Sequence, residues 1–187
     1  MEAKMMAHGS HDILDGAGLF NSFEDAVSDL DLVICTTSRE RSAKHDYHSS
    51  RDFLSNIGNK EKEVARIGIL FGTEESGIPN ELVLKSDMAM SIPMAGPYPS
   101  LNLAQSVMIA AYELAPLNKQ IKPGKNLSKT GEGWKTLKDQ GRKLLIESGI
   151  PEGSPLFHRI IERMATIGSN DIPLFLSVIS RINKNSN

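Results

Sequence analysis

Short apolar runs and longer helical stripes alternate along this chain. Residues 1–30 read as helical, with Ser22 and Asp25 forming a capping arrangement ahead of the FEDAVSDL run. Residues 31–37 (DLVICTT), 65–71 (ARIGILF) and 88–92 (MAMSI) are short apolar runs, two of them β-branched, and read as buried strands. Residues 38–63 are polar and read as a loop with one helix near 51–57. Leu103, Val107, Ala110, Ala111 and Leu114 recur at helical spacing and predict a helix packed on a sheet. Segments 134–148, 155–167 and 171–183 repeat that spacing, with Phe157, Ile160, Ile161 and Met164 as one example. Strands separated by helices and crossovers predict an α/β fold with a parallel sheet. The three last helices predict a small C-terminal helical appendage with Trp134 and Phe157 in its own core.

Composition adds compartment and charge. No run of about 18 apolar residues predicts a membrane span. The first twelve residues lack the apolar core of a signal peptide. Cys35 is the single cysteine, which excludes an internal disulfide and fits a cytoplasmic protein. The net charge of −2 hides an asymmetry: residues 1–117 carry 9 Lys/Arg against 17 Asp/Glu, and residues 118–187 carry 12 against 6. A basic third on an acidic body has two readings, a polyanion partner or a solvated face. Residues 118–133 are rich in Pro, Gly, Ser and Lys and read as a linker between domain 1–117 and extension 134–187.

The densest chemistry lies in 71–102, FGTEESGIPNELVLKSDMAMSIPMAGPYPSLN. Gly72 follows a strand, so its loop leaves the carboxyl edge, where open α/β sheets bind ligands. The loop at 93–100 leaves a neighbouring strand at the same edge, and Thr36, Thr37, Ser38 and Arg39 leave the first. Ser100 or Asn102 is positioned to cap the following helix. Three such loops predict a pocket rich in main-chain groups, into which a side chain at Gly72 would project. GTEESG lacks the Gly-Lys-Ser/Thr ending of a phosphate loop, and no GxGxxG is present. Glu74 and Glu75 suit a cationic ligand such as a sulfonium or an amine, or are solvated loop residues. The HxxH pairs His8/His11 and His45/His48 lack further ligands, so no metal site is expected. Cys35, inside a strand, reads as a small buried residue.

FGTEESGIP followed by SIPMAGPYPSLNLAQSVMIAAYEL resembles the second and third motifs of the SpoU (TrmH-type) branch of the SPOUT RNA methyltransferases. TTSRERS and AHGSHDIL resemble segments of its TrmJ/LasT-like members, whose helical C-terminal extension is similar to 134–183. The resemblance implies a C-terminal trefoil knot, S-adenosylmethionine as cofactor, a homodimer, and ribose 2′-O-methylation of tRNA or rRNA. It implies cofactor contacts at Thr36, Thr37, Ser38, Gly72, Ile92, Pro99, Ser100 and Leu101, mostly through main-chain groups. Glu74 and Asn102 would tie the loops together and orient the ribose. RNA backbone contacts are expected at Arg39, Arg41, Lys119, Lys122, Lys125 and Lys129. The family's first motif, an Asn followed by the Arg that would activate the ribose hydroxyl, has no match here. An N-terminally shortened chain, or a catalytically impaired remnant that binds RNA or cofactor, is the alternative this departure leaves.

Overall fold

The computed structural model describes residues 9–38, 44, 46–58, 60, 64–96, 101–120 and 132–185, and of 117–120, 132 and 185 the main chain alone. Its strands are β1 (Leu32–Thr36), β2 (Tyr47–Ser49), β3 (Ile67–Leu70) and β4 (Met88–Ser91). They form one parallel sheet in the order β2-β4-β1-β3. β1 and β4 occupy its centre, which accounts for their continuous apolar composition. Side chains alternate between two faces. Leu32, Ile34, Met88 and Met90 enter one core cluster; Cys35 and Ala89 enter a second on the opposite face. β3 is paired with β1 alone among the described residues, and its four residues are only half-buried.

Helices cover both faces. They are α1 (His11–Asp15), α2 (Phe23–Val27), α3 (Ser50–Gly58), α4 (Asn80–Lys85), α5 (Leu103–Gln120), α6 (Glu132–Glu147), α7 (Pro155–Met164) and α8 (Ile172–Asn185). Ser22 caps α2 as expected, its Oγ accepting from Asp25 N at 3.1 Å. The helical reading of the first thirty residues is too generous, because non-helical residues separate α1 from α2. β2 falls within the stretch 38–63 that reads as loop, and α4 has no counterpart among the elements the sequence predicts. Three polar residues make β2, and α4 buries only Val83, so neither carries a periodic signal. α5 continues through 118–120, residues assigned above to the linker.

The expected seating of α5 also changes. It lies against α3, with Ala110 buried and Leu114 against the core, while Leu103, Val107 and Ala111 are exposed. The C-terminal helices do not build a separate core. Trp134, Leu137, Ala165, Ile172 and Ile179 join the same cluster as Leu32, Ile34, Phe53 and Met90.

That shared interior contains a lysine. Lys60 is 2% exposed, donates its Nζ to the Ile167 carbonyl and sits 5.3 Å from the centroid of the Trp134 ring. Lys138 approaches the same ring at 5.9 Å and pairs with buried Asp87 at 3.1 Å. Burial pushes the Lys60 ammonium down to about 8. The sign follows from linkage: the unfolded chain holds this proton up to its ordinary range, the folded chain loses it near 8, so stability rises with pH between them. The stability of the native protein relative to the Lys60→Met variant is therefore expected to rise between pH 8 and 10.5, by up to about 3 kcal/mol. Urea unfolding of both proteins across that range measures the difference, and a flat difference would refute the buried-cation assignment.

Candidate functional site

Parallel pairing brings the carboxyl ends of the strands to one edge. There Thr36 Oγ1 donates to the Leu70 carbonyl at 3.0 Å, joining the ends of β1 and β3. Thr37 N donates to the Met90 carbonyl at 2.9 Å, joining the exit of β1 to β4. Both threonines thus hold loops in place by hydrogen bonds that a purely ligand-facing role would not need. Ser38 follows and is exposed, while Ile92 and Leu101 are half-buried.

The loop after β3 folds back on itself. Thr73 and Gly77 form an antiparallel bridge, with Gly77 N donating to Thr73 O at 2.9 Å. Thr73 Oγ1 and Ser76 Oγ lie 2.9 Å apart across the turn. Gly77 closes this turn at φ 69°, a conformation that favours glycine. Gly72 has a different reason for being glycine from the one expected. A Cβ there would collide with the main chain of Gly77 and Ile78, lying 2.6 Å from Gly77 Cα. A side chain at 72 would displace the loop itself, and not simply occupy a pocket beside an intact loop.

The start of α5 is fixed by three side chains. Asn102 Oδ1 accepts from Ala104 N at 2.8 Å, and Gln105 Oε1 accepts from Asn102 N at 3.3 Å. Asn102 is therefore the cap, holding the amide two residues on, while Gln105 reaches back to the amide of Asn102. The Asn-x-x-Gln spacing carries that signal in the sequence. Glu74 Oε1 accepts from Leu103 N at 3.0 Å, bridging the loop after β3 to the helix after β4. A carboxylate at a helix N-terminus meets both unpaired N–H groups and the positive end of the dipole.

Among the described residues of these three loops there is no lysine or arginine, and Glu74 and Glu75 carry the only charges. Pro99, Ser100, Arg39, Arg41, Lys122, Lys125 and Lys129 lie outside the described residues. Lys119 falls on α5, and its side chain lies outside them too. Cys35 is fully buried, its Sγ 3.5 Å from the Met88 carbonyl. His48 packs edge-on to Phe53, and burial holds its imidazole below the usual range. Among the described residues no group of His, Cys, Asp and Glu is arranged to hold a metal.

A cavity of about 630 Å³ lies elsewhere, between α2, α4, α6 and α7 at the amino ends of the strands. Its cations are already paired: Lys85 with Glu24, Lys138 with Asp87, and Arg142 with Glu152. Cations of α6 and α7 outside the cavity are engaged as well. Lys135 donates to the Ser28 carbonyl, and Arg159 and Arg163 both reach Asp46.

Comparison with known proteins bears on this edge. The model of the SpoU rRNA Methylase family matches residues 1–112. LasT of Serratia marcescens, named as an uncharacterised tRNA/rRNA methyltransferase, is 30% identical over 97% of this chain and 93% of its own length. The tRNA (cytidine-2′-O-)-methyltransferase TrmJ of Methanocaldococcus jannaschii is 39% identical over 60% of this chain and 49% of its own. The crystal structure of TrmJ from Z. mobilis ZM4 superposes with a TM-score of 0.62 at 23% identity, over 97% of this chain and 80% of that one, which supports the fold. On the match to more than half of its length, and on a relative aligned along nearly all of it, this chain belongs to the SpoU rRNA methylase family.

Proposed function

We propose that this chain is an S-adenosylmethionine-dependent ribose 2′-O-methyltransferase of tRNA or rRNA, cytoplasmic and homodimeric, with β4 and the start of α5 threaded as a trefoil knot. The observation that carries the reading is the edge where β1, β3 and β4 end. Three loops meet there, cross-linked by Thr36, Thr37 and Glu74, and their described residues hold two glutamates and no cation. This donor set fits a sulfonium-bearing nucleoside. The names of the relatives supply the substrate class. The cross-links between the three loops are consistent with a knot. Among the described residues no helix is long and apolar enough to cross a membrane.

When bound, the cofactor supplies a methyl group that passes from its sulfonium to the ribose 2′-oxygen as the hydroxyl proton leaves. Gly72, Ile92 and Leu101, with Pro99 and Ser100, would hold it through main-chain groups beside Ser38. Thr36 and Thr37 serve it indirectly, by fixing the loop they sit on. Asn102 and Glu74 set the start of α5 and so the geometry of the last loop. A neutral ribose hydroxyl is a poor nucleophile and needs a base or a cation beside the developing alkoxide. No described residue of the three loops supplies that cation. In a dimer each subunit can complete its partner's site.

α5 supports such a dimer. Leu103, Val107, Met108 and Tyr112 are exposed along the helix, Tyr112 at 80%, and the stripe begins at the residue bonded to Glu74. A second reading is a protein that binds cofactor or RNA without transfer, since no described residue of the three loops supplies a cation.

Calorimetry is expected to detect S-adenosylhomocysteine binding and no binding of ATP or NAD; the reverse pattern would overturn the reading. Transfer is read as radiolabel from S-adenosylmethionine in RNA that resists alkaline cleavage at the modified nucleotide. Cofactor binding without label would establish the second reading. Gly72→Ala is expected to weaken S-adenosylhomocysteine binding at least about tenfold and to destabilise the fold by about 1–3 kcal/mol, because its Cβ overpacks the loop. Unchanged affinity would remove this loop from the site. Replacing Lys119, Lys122, Lys125 and Lys129 with glutamine is expected to lower RNA affinity and to flatten its logarithmic salt dependence by up to about 3. An unchanged slope would leave the linker outside the RNA interface.

A further inference from the structure

The last helix is apolar on two sides. Ile172, Leu176 and Ile179 of α8 turn inward to the shared core. Leu174, Phe175, Val178 and Ile182 are between 40% and 64% exposed. At 3.6 residues per turn these four lie within an arc of about 100°, centred near Val178. The inward residues are centred about 130° away from them around the helix. A helix on a protein surface ordinarily carries polar residues on its outer side. α6 and α7 do so, with Lys143, Glu147 and Arg163 all more than half exposed. α8 does not, and a continuous apolar stripe marks an interaction surface where scattered apolar residues would not.

The stripe is bounded by opposite charges. Asp171 stands at its amino end and Arg181 at its carboxyl end, both exposed. Lys184 follows in the last turn. Among the described residues, neither Asp171 nor Arg181 takes part in an ion pair. An acid at one end and a base at the other make the face complementary to itself, provided that the second copy runs the other way. A parallel pair would set Asp171 on Asp171 and Arg181 on Arg181. An RNA would meet four apolar side chains and a carboxylate for a single guanidinium on the stripe.

We infer that the outward face of α8 pairs with the same face of a second copy of this chain, antiparallel, about a two-fold axis at Val178. Leu174 and Phe175 of one copy then face Arg181 and Ile182 of the other. Asp171 comes within four residues of helical rise, about 6 Å, of the second copy's Arg181. One patch serves both copies, as a two-fold interface requires. The fourteen residues of α8 offer less than the about 800 Å² per partner of a stable interface, so the pairing is weak and lost on dilution. The face is distinct from the exposed stripe on α5, so the inference goes beyond the dimer proposed above. Copies joined through both faces make a tetramer.

The test varies the two faces separately in the full chain. Light scattering after size exclusion, run over a range of concentrations, gives the mass of the wild type, Val178→Glu, Tyr112→Glu and the two combined. Circular dichroism checks that each variant folds. The expected result is a mass of four copies at high concentration, two in either variant, and one in the combination. A wild type of two copies that Val178→Glu reduces to one supports the α8 pairing and removes α5 as the interface, so the two readings fail separately. A mass that Val178→Glu leaves unchanged overturns the inference and leaves the face to a different partner.

Charge exchange tests the antiparallel register, and decides alone should Val178→Glu not fold. Asp171→Arg and Arg181→Asp are each expected to weaken self-association at least about tenfold, because each sets like charges together at both ends of the pair. An equimolar mixture of the two variants joins opposite charges at both ends and is expected to recover the wild-type mass. A mixture that stays at the mass of its components would overturn the pairing.

Discussion

Everything at the candidate site depends on β1 being paired in parallel on both sides. The registers Cys35↔Leu70 and Thr36↔Met90 leave the exits of β1, β3 and β4 at one level. Parallel ladders need crossovers, and each crossover must leave from the carboxyl edge. The loops therefore have to share that edge whatever their sequences. What the sequence adds is their mutual fastening: a threonine hydroxyl, a threonine amide and a glutamate carboxylate each cross from one loop or strand to another. Buried Leu32, Ile34, Met88 and Met90 hold the platform rigid, so small displacements in the loops are not absorbed by the sheet.

Charge asymmetry has a physical account that composition alone did not favour over the alternatives. The acidic body and the basic extension are complementary, and the structure brings their charges together. Lys138 meets Asp87, while Arg159 and Arg163 meet Asp46. Many exposed pairs contribute little, a median near 0–1 kcal/mol each. Asp87 and Glu162 are different because they are buried, so removing a partner would strand a charge. The cations of α6 and α7 are accordingly engaged within the chain.

Legibility followed the range over which an interaction acts. β1, β3 and β4 could be read from their apolar runs, and the three C-terminal helices from their periodicity, because burial leaves a local pattern. Ser22 and Asn102 could be read as caps, since a cap and its amide are two or three residues apart. β2 could not: Tyr47, His48 and Ser49 are strand only because Met90 and its neighbours lie beside them. Asp46 and Glu162 are 116 residues apart, and neither has a sequence neighbourhood that marks it. The seating of α5 misled for a related reason. Its apolar residues were assumed to face one sheet, but Ala110 and Leu114 turn to the core while Val107, Met108 and Tyr112 face outward.

The glycine-rich loop sharpens that distinction. From the sequence, glycine in such a loop reads as room for a ligand, since glycine lets a main chain approach closely. Close approach is what the structure contains, but the approaching main chain belongs to the same loop, Gly77 and Ile78 against Gly72. Composition alone cannot distinguish a backbone that nears a ligand from one that nears another backbone, because both forbid a Cβ for the same steric reason. The two cases differ in what a substitution moves. A residue that only bounds a pocket changes affinity without changing the loop. Gly72 cannot be changed in that way: any side chain there shifts Thr73–Ile78, and with it Glu74, whose carboxylate holds the first turn of α5. The loop after β3 and the start of α5 are thus one mechanical unit.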